Sequence, residues 1–350
     1  MFFYEVPAAT AALSVVLYTL FLILMNEVSR LDKKYGLALF IILPVVLTAF
    51  VWPQTSKDPV APATWFQWVK TYSCLAGAIG GWLIVYYKKF QKKWIVAIPP
   101  VIFFINILEA CIRDFELYQY AGQGLVMVSG YEVMAGPWNI INGIAGIING
   151  LCICGFFGII VSRGKKKDYV WPDQMWFWLI GYDLWNFAYT YNSVSDRSAY
   201  CGLALLVAPT VLALFVKKGV YAQHRVRTLA VNMMITMSWP GFYLSDFACV
   251  HSTNNPHAHM LIAVLALIWN VVMAAYQLYI IIAKKRNPFK GELYYDHKSF
   301  REIYLDNIDV DEGKEELALA NLEKYGYAAV WDKNGDYDIK TTSVDIAPTA

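Results

Sequence analysis

Nine apolar stretches recur along the first 283 residues of the chain, separated by short polar segments. Each stretch is long enough, at 1.5 Å per helical residue, to cross most of the roughly 30 Å hydrocarbon layer of a bilayer. The pattern therefore predicts about nine transmembrane helices. Their expected spans are residues 8–25, 35–51, 66–87, 94–112, 138–161, 172–191, 200–216, 226–245 and 259–283.

Polar residues also recur inside five of these stretches, the fourth, fifth, sixth, eighth and ninth, at helical spacing. On the sixth, Asp183, Asn186, Thr190 and Ser193 stand at i, i+3, i+7 and i+10, so they share one face of a helix. A charged group at bilayer depth costs at least about 2.5 kcal/mol, which favours faces that turn inward. We expect the five polar faces to converge on a cavity that opens outward.

The basic residues collect on every second connection between the apolar stretches. These connections are residues 30–34, 88–93, 163–167, 217–227 and 284–286. Because Lys and Arg mark cytoplasmic loops, the N-terminus is expected outside and the C-terminus in the cytosol.

Composition agrees with this pattern, since 58% of the residues are hydrophobic and only 16% are charged. These values fall outside the range of soluble globular domains and indicate an all-α integral membrane protein. Its surroundings are the lipid bilayer, and the formal net charge of +2 gives no reason to expect a nucleic-acid partner.

The chain divides into three parts. Residues 1–93 hold helices one to three, which carry few polar residues at depth and are expected at the periphery. Residues 94–286 hold the polar-cored helices four to nine. Residues 287–350 form an acidic cytosolic tail of α+β character, with fourteen acidic and six basic side chains in 291–350. A short helix over 311–325, with Leu317 and Leu322 on its apolar side, and a hairpin at Asn334–Gly335 are expected there.

The candidate binding residues combine carboxylates, amides and aromatic rings at depth. The acids would pair with a charged solute, and the aromatic rings would supply stacking or cation–π walls. The candidates are Glu109, Asn142, Asp183, Trp185, Asn186, Tyr189, Trp239, Tyr243, Asp246 and Asn270. For amides such as Asn142 the alternative role is a hydrogen bond between helices, worth about 0.6 kcal/mol.

These features favour a carrier for a small polar or cationic solute that needs no cofactor and forms, as one option, a homo-oligomer. A rival hypothesis is a metal-dependent membrane enzyme, because His251, His257 and His259 lie close together in the sequence and could ligate zinc. Their spacing matches no H-E-x-x-H motif. A third hypothesis is a sensor whose tail binds a cytosolic partner.

The segment YDLWNFAYTYNSVSDRS, residues 182–198, with the nine-helix plan and the alternating basic loops, resembles an uncharacterised family of bacterial inner-membrane proteins of unknown function. The resemblance implies a multi-pass inner-membrane location and no particular activity. In having Trp and Asn residues at depth, the chain is also similar to carriers of the nicotinamide-riboside type. The motif spacing of those carriers is not reproduced here, so no residue role is transferred.

Three cysteines, Cys111, Cys201 and Cys249, are expected at the outer ends of helices. In an oxidising compartment two of them could form a disulfide. Sequence alone does not decide which two, although Cys201–Cys249 is favoured because both lie beside short outer loops.

Overall fold

The computed structural model describes residues 2–4, 8–61, 65–162, 166–246, 248, 250–308 and 313–330. These residues are mostly helical. In this part of the chain nine long helices precede residue 284, and two helices of eight and eleven residues follow it. The bounds are α1 (Ala8–Leu31), α2 (Lys33–Thr55), α3 (Trp65–Tyr86), α4 (Ile98–Leu117), α5 (Pro137–Leu151), α6 (Trp176–Ser193), α7 (Ala199–Val216), α8 (Tyr221–Ser238), α9 (Pro256–Ala283), α10 (Lys298–Leu305) and α11 (Glu315–Tyr325).

Five of the described helices are long and apolar enough to cross a membrane: α1, α2, α4, α7 and α9. The other four long helices are shorter or carry more polar residues. By length and composition the chain is a helical membrane protein.

Helix α8 differs most from its expected span. It begins at Tyr221, so Arg225 and Arg227 belong to the helix and not to a loop. It ends at Ser238 because Pro240 has no backbone N–H and restricts the residue before it. A 3₁₀ turn over Pro240–Leu244 follows. The expected span of 226–245 was therefore displaced toward the C-terminus.

Helix α5 is also shorter than expected, because it ends at Leu151, and irregular chain leads to a short strand at Ile160–Val161. Helices α2 and α7 contain π-helical turns on both sides of Pro44 and Pro209. Proline cannot donate the i to i−4 hydrogen bond, so it interrupts the regular helix at these points.

Six short strands form three antiparallel pairs among the described residues. Strand β1 (Phe3–Tyr4) pairs with β6 (His251–Ser252), β2 (Leu125–Val128) with β3 (Tyr131–Met134), and β4 (Ile160–Val161) with β5 (Tyr169–Val170). The β2–β3 turn places Ser129 at φ 57° and Gly130 at φ 84°. This two-residue turn matches the twist of a hairpin, and its second position favours glycine.

Two large hydrophobic clusters form the core. One joins side chains of α1, α2 and α3 with those of α7 and α8. The other joins α4, α5, α6 and α9 with the C-terminal segment. The helices expected at the periphery thus share a core with α7 and α8, while the proposed division at residue 93 stays a prediction.

The C-terminal segment packs against the end of the bundle where α9 ends, which we call the basic end because residues 30–34, 88–93, 217–218 and 284–286 lie there. The Asp173 carboxylate, just before α6, accepts the backbone N–H groups of Leu293 at 2.8 Å and Tyr294 at 3.1 Å. In α11, Leu322 is buried as expected, but Leu317 is 41% exposed and Leu319 is buried in its place. The hairpin expected at Asn334–Gly335 lies outside the described residues.

Candidate functional site

A cavity of about 350 Å³ lies between α3, α4, α6 and α8. Residues of α3 line it from Gln67 to Ile84, which is about 25 Å along a helix that rises 1.5 Å per residue. The cavity therefore runs through most of the thickness of the bundle, from the basic end toward the opposite end.

Helices α6 and α8 supply most of the polar lining. Tyr182, Asn186 and Thr190 stand at i, i+4 and i+8 on α6, and Arg225 and Asn232 are two turns apart on α8. Residues at these spacings share one helical face. The polar face of α6 that the sequence predicts is therefore turned in part toward the cavity.

Aromatic rings form a column along α6. Tyr182 stacks on Trp178 with ring centroids 5.4 Å apart, and Trp185 stacks on Tyr189 at 6.3 Å. A Cβ atom at Gly146 of α5 would lie 2.2 Å from Nε1 of Trp185. Only glycine leaves room for the Trp185 ring in its present place.

Three basic side chains line the cavity. Lys70 Nζ lies 3.2 Å from the Glu109 carboxylate and 3.2 Å from the Asn106 side-chain oxygen. Arg225 and Arg227 are 6% and 2% exposed. Among the lining residues that the structure describes there is no Asp or Glu, so the charge facing the cavity is positive.

Three of the predicted binding residues line this cavity together, Trp185, Asn186 and Tyr189. They lie on one face of α6 within a little over one turn. These three predicted residues therefore lie together on the wall of the cavity.

The three predicted acids do not line the cavity. Glu109 lies beside it and pairs with Lys70. Asp183 points toward α7 and α8, where its carboxylate accepts the Thr210 hydroxyl and, at 2.6 Å, the Tyr221 hydroxyl. Asp246 is exposed in a turn. Asp183 and Asn186 belong to the same polar stripe of α6, but of these two residues only Asn186 faces the cavity.

The other four predicted residues also lie outside the lining. The Asn142 amide donates to Asp114 at 2.7 Å, and Asn270 accepts from Asn149 at 2.8 Å. Both contacts join neighbouring helices, which is the alternative role named for such amides. Trp239 is 60% exposed where α8 ends, so it is not the deep wall that the sequence suggested. Tyr243 lies behind the lining, and its hydroxyl donates to Asn232 at 3.2 Å.

The three histidines point to different surroundings. His251 lies in β6, His257 is exposed at the start of α9, and His259 is buried with its Nδ1 2.7 Å from the Asn192 side-chain oxygen. Among the described residues no group of three His, Cys, Asp or Glu side chains is placed to hold a metal ion. The zinc hypothesis gains no geometric support from this part of the chain.

Sequence reasoning missed Arg225 and Arg227, because the basic run from 217 to 227 was interpreted as a loop. The eighth apolar stretch was expected to carry a polar face, and Arg225 stands seven residues before Asn232 on that face. Extending the polar face by two turns would have identified it. Asp114 on α4 was missed as well, because Glu109 was the candidate acid selected there.

Among the described residues Cys111 and Cys201 form no disulfide, with one another or with another cysteine. Cys249 lies outside the described residues, so the favoured Cys201–Cys249 bridge stays a prediction.

The chain belongs to a family of unknown function, DUF5692, which matches residues 5–306. This confirms the resemblance to an uncharacterised family. No curated protein and no solved structure matches the chain.

Proposed function

Starting from membership of a family without an assigned activity, we propose that the protein is a multi-pass inner-membrane carrier for a small solute. In this proposal all nine long helices cross the bilayer, with the N-terminus outside and the C-terminus in the cytosol. The solute binds in the cavity between α3, α4, α6 and α8.

The observation that carries the proposal is the length of the cavity together with its lining. A space that extends about 25 Å along a helix and meets amides, aromatic rings and buried cations can bind a solute at depth. Trp185, Asn186 and Tyr189 are assigned as solute-binding residues. The acids expected to balance a cation lie outside the lining, so the carrier hypothesis is kept without its preference for a cation.

Glycines on α3 provide a test that leaves the helix intact. A Cβ atom at Gly80 would have no neighbour within 4 Å, although Gly80 lines the cavity. Gly80→Leu should fill this space and should favour the helix, because glycine is among the poorest helix formers. Gly241→Leu is the matched control, since a Cβ there would meet only Val60 at 3.9 Å.

The measurement is uptake and counterflow in proteoliposomes with a panel of labelled anions, cations and neutral solutes. We expect saturable counterflow for at least one solute, lost in Gly80→Leu and kept in Gly241→Leu. Failure of every solute to exchange would contradict the carrier.

The remaining hypotheses stay proposals with their own tests. Elemental analysis of protein prepared without a His tag tests the enzyme hypothesis, which requires a transition metal near one equivalent. Size-exclusion chromatography with light scattering tests the homo-oligomer. Capture of a cytosolic protein by the tail, lost when residues 287–350 are removed, tests the sensor.

A further inference from the structure

The positive charge that faces the cavity limits which charge a bound solute can carry. This inference rests on the proposed binding role of the cavity. Lys70, Arg225 and Arg227 line it, and the described lining contains no carboxylate. A cationic solute would bring a further positive charge into a space that already holds three. The same space attracts an anion.

Lys70 is the least available of the three cations. Its ammonium group is paired with Glu109 and with the Asn106 side chain, each at 3.2 Å, and the side chain is 25% exposed. Its charge is therefore largely balanced before any solute binds.

Arg225 is in the opposite situation. Its Nε and Nη2 atoms reach only the Tyr182 hydroxyl and the Asn186 oxygen, both at 3.4 Å, and its Nη1 atom has no hydrogen-bond partner among the described residues. Asp183, one residue from Tyr182, is already engaged by two hydroxyl groups. The structure thus places a nearly buried guanidinium, with an unused donor, at the wall of a cavity.

An unpaired buried cation is costly, and a planar guanidinium binds carboxylate or phosphate oxygens through parallel hydrogen bonds. Arg227, which is 2% exposed, adds a second buried charge to the lining, and it also has an Nη1 atom without a partner among the described residues. These two side chains fit an oxyanion better than a halide or a neutral polar group.

The opposite wall of the cavity is apolar. Gly80 and Gly81 of α3 face open space, and Ile98 and Ile102 of α4 line the cavity while being 49% and 42% exposed. Lining residues that are also exposed show that the cavity reaches the outer surface of the bundle between α3 and α4. In a bilayer that surface faces acyl chains.

We propose that the solute is an amphipathic oxyanion, a carboxylate or phosphate carried on an apolar chain. Arg225 binds the charged group with Asn186 beside it, and the chain lies along Gly80 and Gly81 in the gap between α3 and α4. A small inorganic anion would leave most of the apolar wall unfilled, whereas an uncharged hydrocarbon would leave Arg225 unpaired.

The test is equilibrium binding to the full chain in a nonionic detergent, by titration calorimetry. The probes are dodecyl phosphate and dodecanoate. Inorganic phosphate and acetate test the charged groups without the chain, and dodecyltrimethylammonium tests the same chain with a cationic headgroup. We expect the dodecyl anions to bind and the cation not to bind.

Arg225→Gln should weaken binding of dodecyl phosphate by about 10- to 100-fold, the range expected for losing hydrogen bonds to a charged group. Arg113→Gln is the matched control, because Arg113 is an arginine on α4 that pairs with Glu116 and does not line the cavity. Arg225→Lys keeps the positive charge but lacks the planar guanidinium, so its affinity for dodecyl phosphate should lie between those of Arg225→Gln and Arg113→Gln. If neither variant of Arg225 folds, Gly80→Leu still tests the chain part: it should abolish binding of dodecyl phosphate.

Unchanged affinity in folded Arg225→Gln, or equal binding of dodecyltrimethylammonium, would overturn the proposal. Inorganic phosphate that binds as tightly as dodecyl phosphate would also overturn it, by showing that the source is a soluble anion. Because binding is measured without transport, binding with no counterflow would refute the carrier alone, and counterflow of another solute without dodecyl binding would refute this inference alone.

Discussion

Asp114 shows how a single carboxylate can hold two helices together. It is fully buried on α4 and accepts hydrogen bonds from Asn139 at 3.0 Å and Asn142 at 2.7 Å, both on α5. Two buried amides thus depend on one acceptor, and through this contact Asn142 joins α5 to α4.

Asp114→Ala should lower the free energy of unfolding by about 1–3 kcal/mol for each amide left without a partner. Glu116→Ala on the same helix is the control, because Glu116 is 55% exposed and an exposed ion pair contributes only about 0–1 kcal/mol. Thermal unfolding in detergent measures both. Equal midpoints for the two variants would contradict the role assigned to Asp114.

At the scale of elements, the contact between the C-terminal segment and the bundle contains two buried carboxyl groups. Glu292 is 4% exposed, and neither of its side-chain oxygens has a hydrogen-bond partner among the described residues. Burial, with the nearby Asp173 carboxylate, raises the pKa of Glu292 from 4.5 to about 8. Burial likewise raises the pKa of Asp173 from 3.8 to about 6, while its two backbone hydrogen bonds and Arg286 oppose the rise.

The docked segment should therefore be most stable at low pH. A carboxyl group whose pKa is raised in the docked state binds more protons there, so docking weakens as pH rises from about 4.5 to about 8. Asp296, whose pKa is lowered by Arg286 and Lys284, changes stability only at lower pH.

Hydrogen–deuterium exchange of the Leu293 and Tyr294 amides, corrected for the intrinsic rate, should be faster at pH 8.5 than at pH 6. Glu292→Gln should remove most of this dependence, whereas Glu316→Gln, an exposed glutamate on α11, should keep it. Identical pH dependence in all three proteins would show that Glu292 does not titrate on undocking.

At the scale of the whole molecule, the number of helices that cross the membrane decides the orientation of every loop. Nine crossings place Lys34 and Gln123 on opposite sides. If only the five most apolar helices crossed, α4 would run the other way, and both residues would lie on the same side.

Single cysteines at these exposed positions, in a variant with Cys201 and Cys249 replaced by Ser, distinguish the two arrangements. A membrane-impermeant maleimide should label Gln123→Cys in intact cells and Lys34→Cys only after permeabilisation. Lys57→Cys is the positive control, because it lies outside in both arrangements. Protection of Gln123→Cys together with labelling of Lys57→Cys would contradict nine crossings.

Hydrophobicity is a property that short segments of the chain carry by themselves, so the sequence alone determined the helical membrane character and the approximate position of each long helix. Helical periodicity singled out Asn186, and depth in the helix singled out Trp185 and Tyr189, because position along and around one helix is a local feature. The start of α8 was missed, since buried Arg225 and Arg227 look like loop charges until their surroundings are known.

Only the tertiary structure decided which polar faces surround a space and which pair with one another. Asp183 and Asn186 belong to the same polar stripe of α6. Asp183 nevertheless accepts hydrogen bonds from Thr210 and Tyr221, whereas Asn186 lines the cavity. The spacing of residues along one helix cannot specify what its neighbours present to that helix. For the same reason the positive charge of the cavity became visible only after packing had kept the acids out of the lining and left Arg225 at the cavity wall.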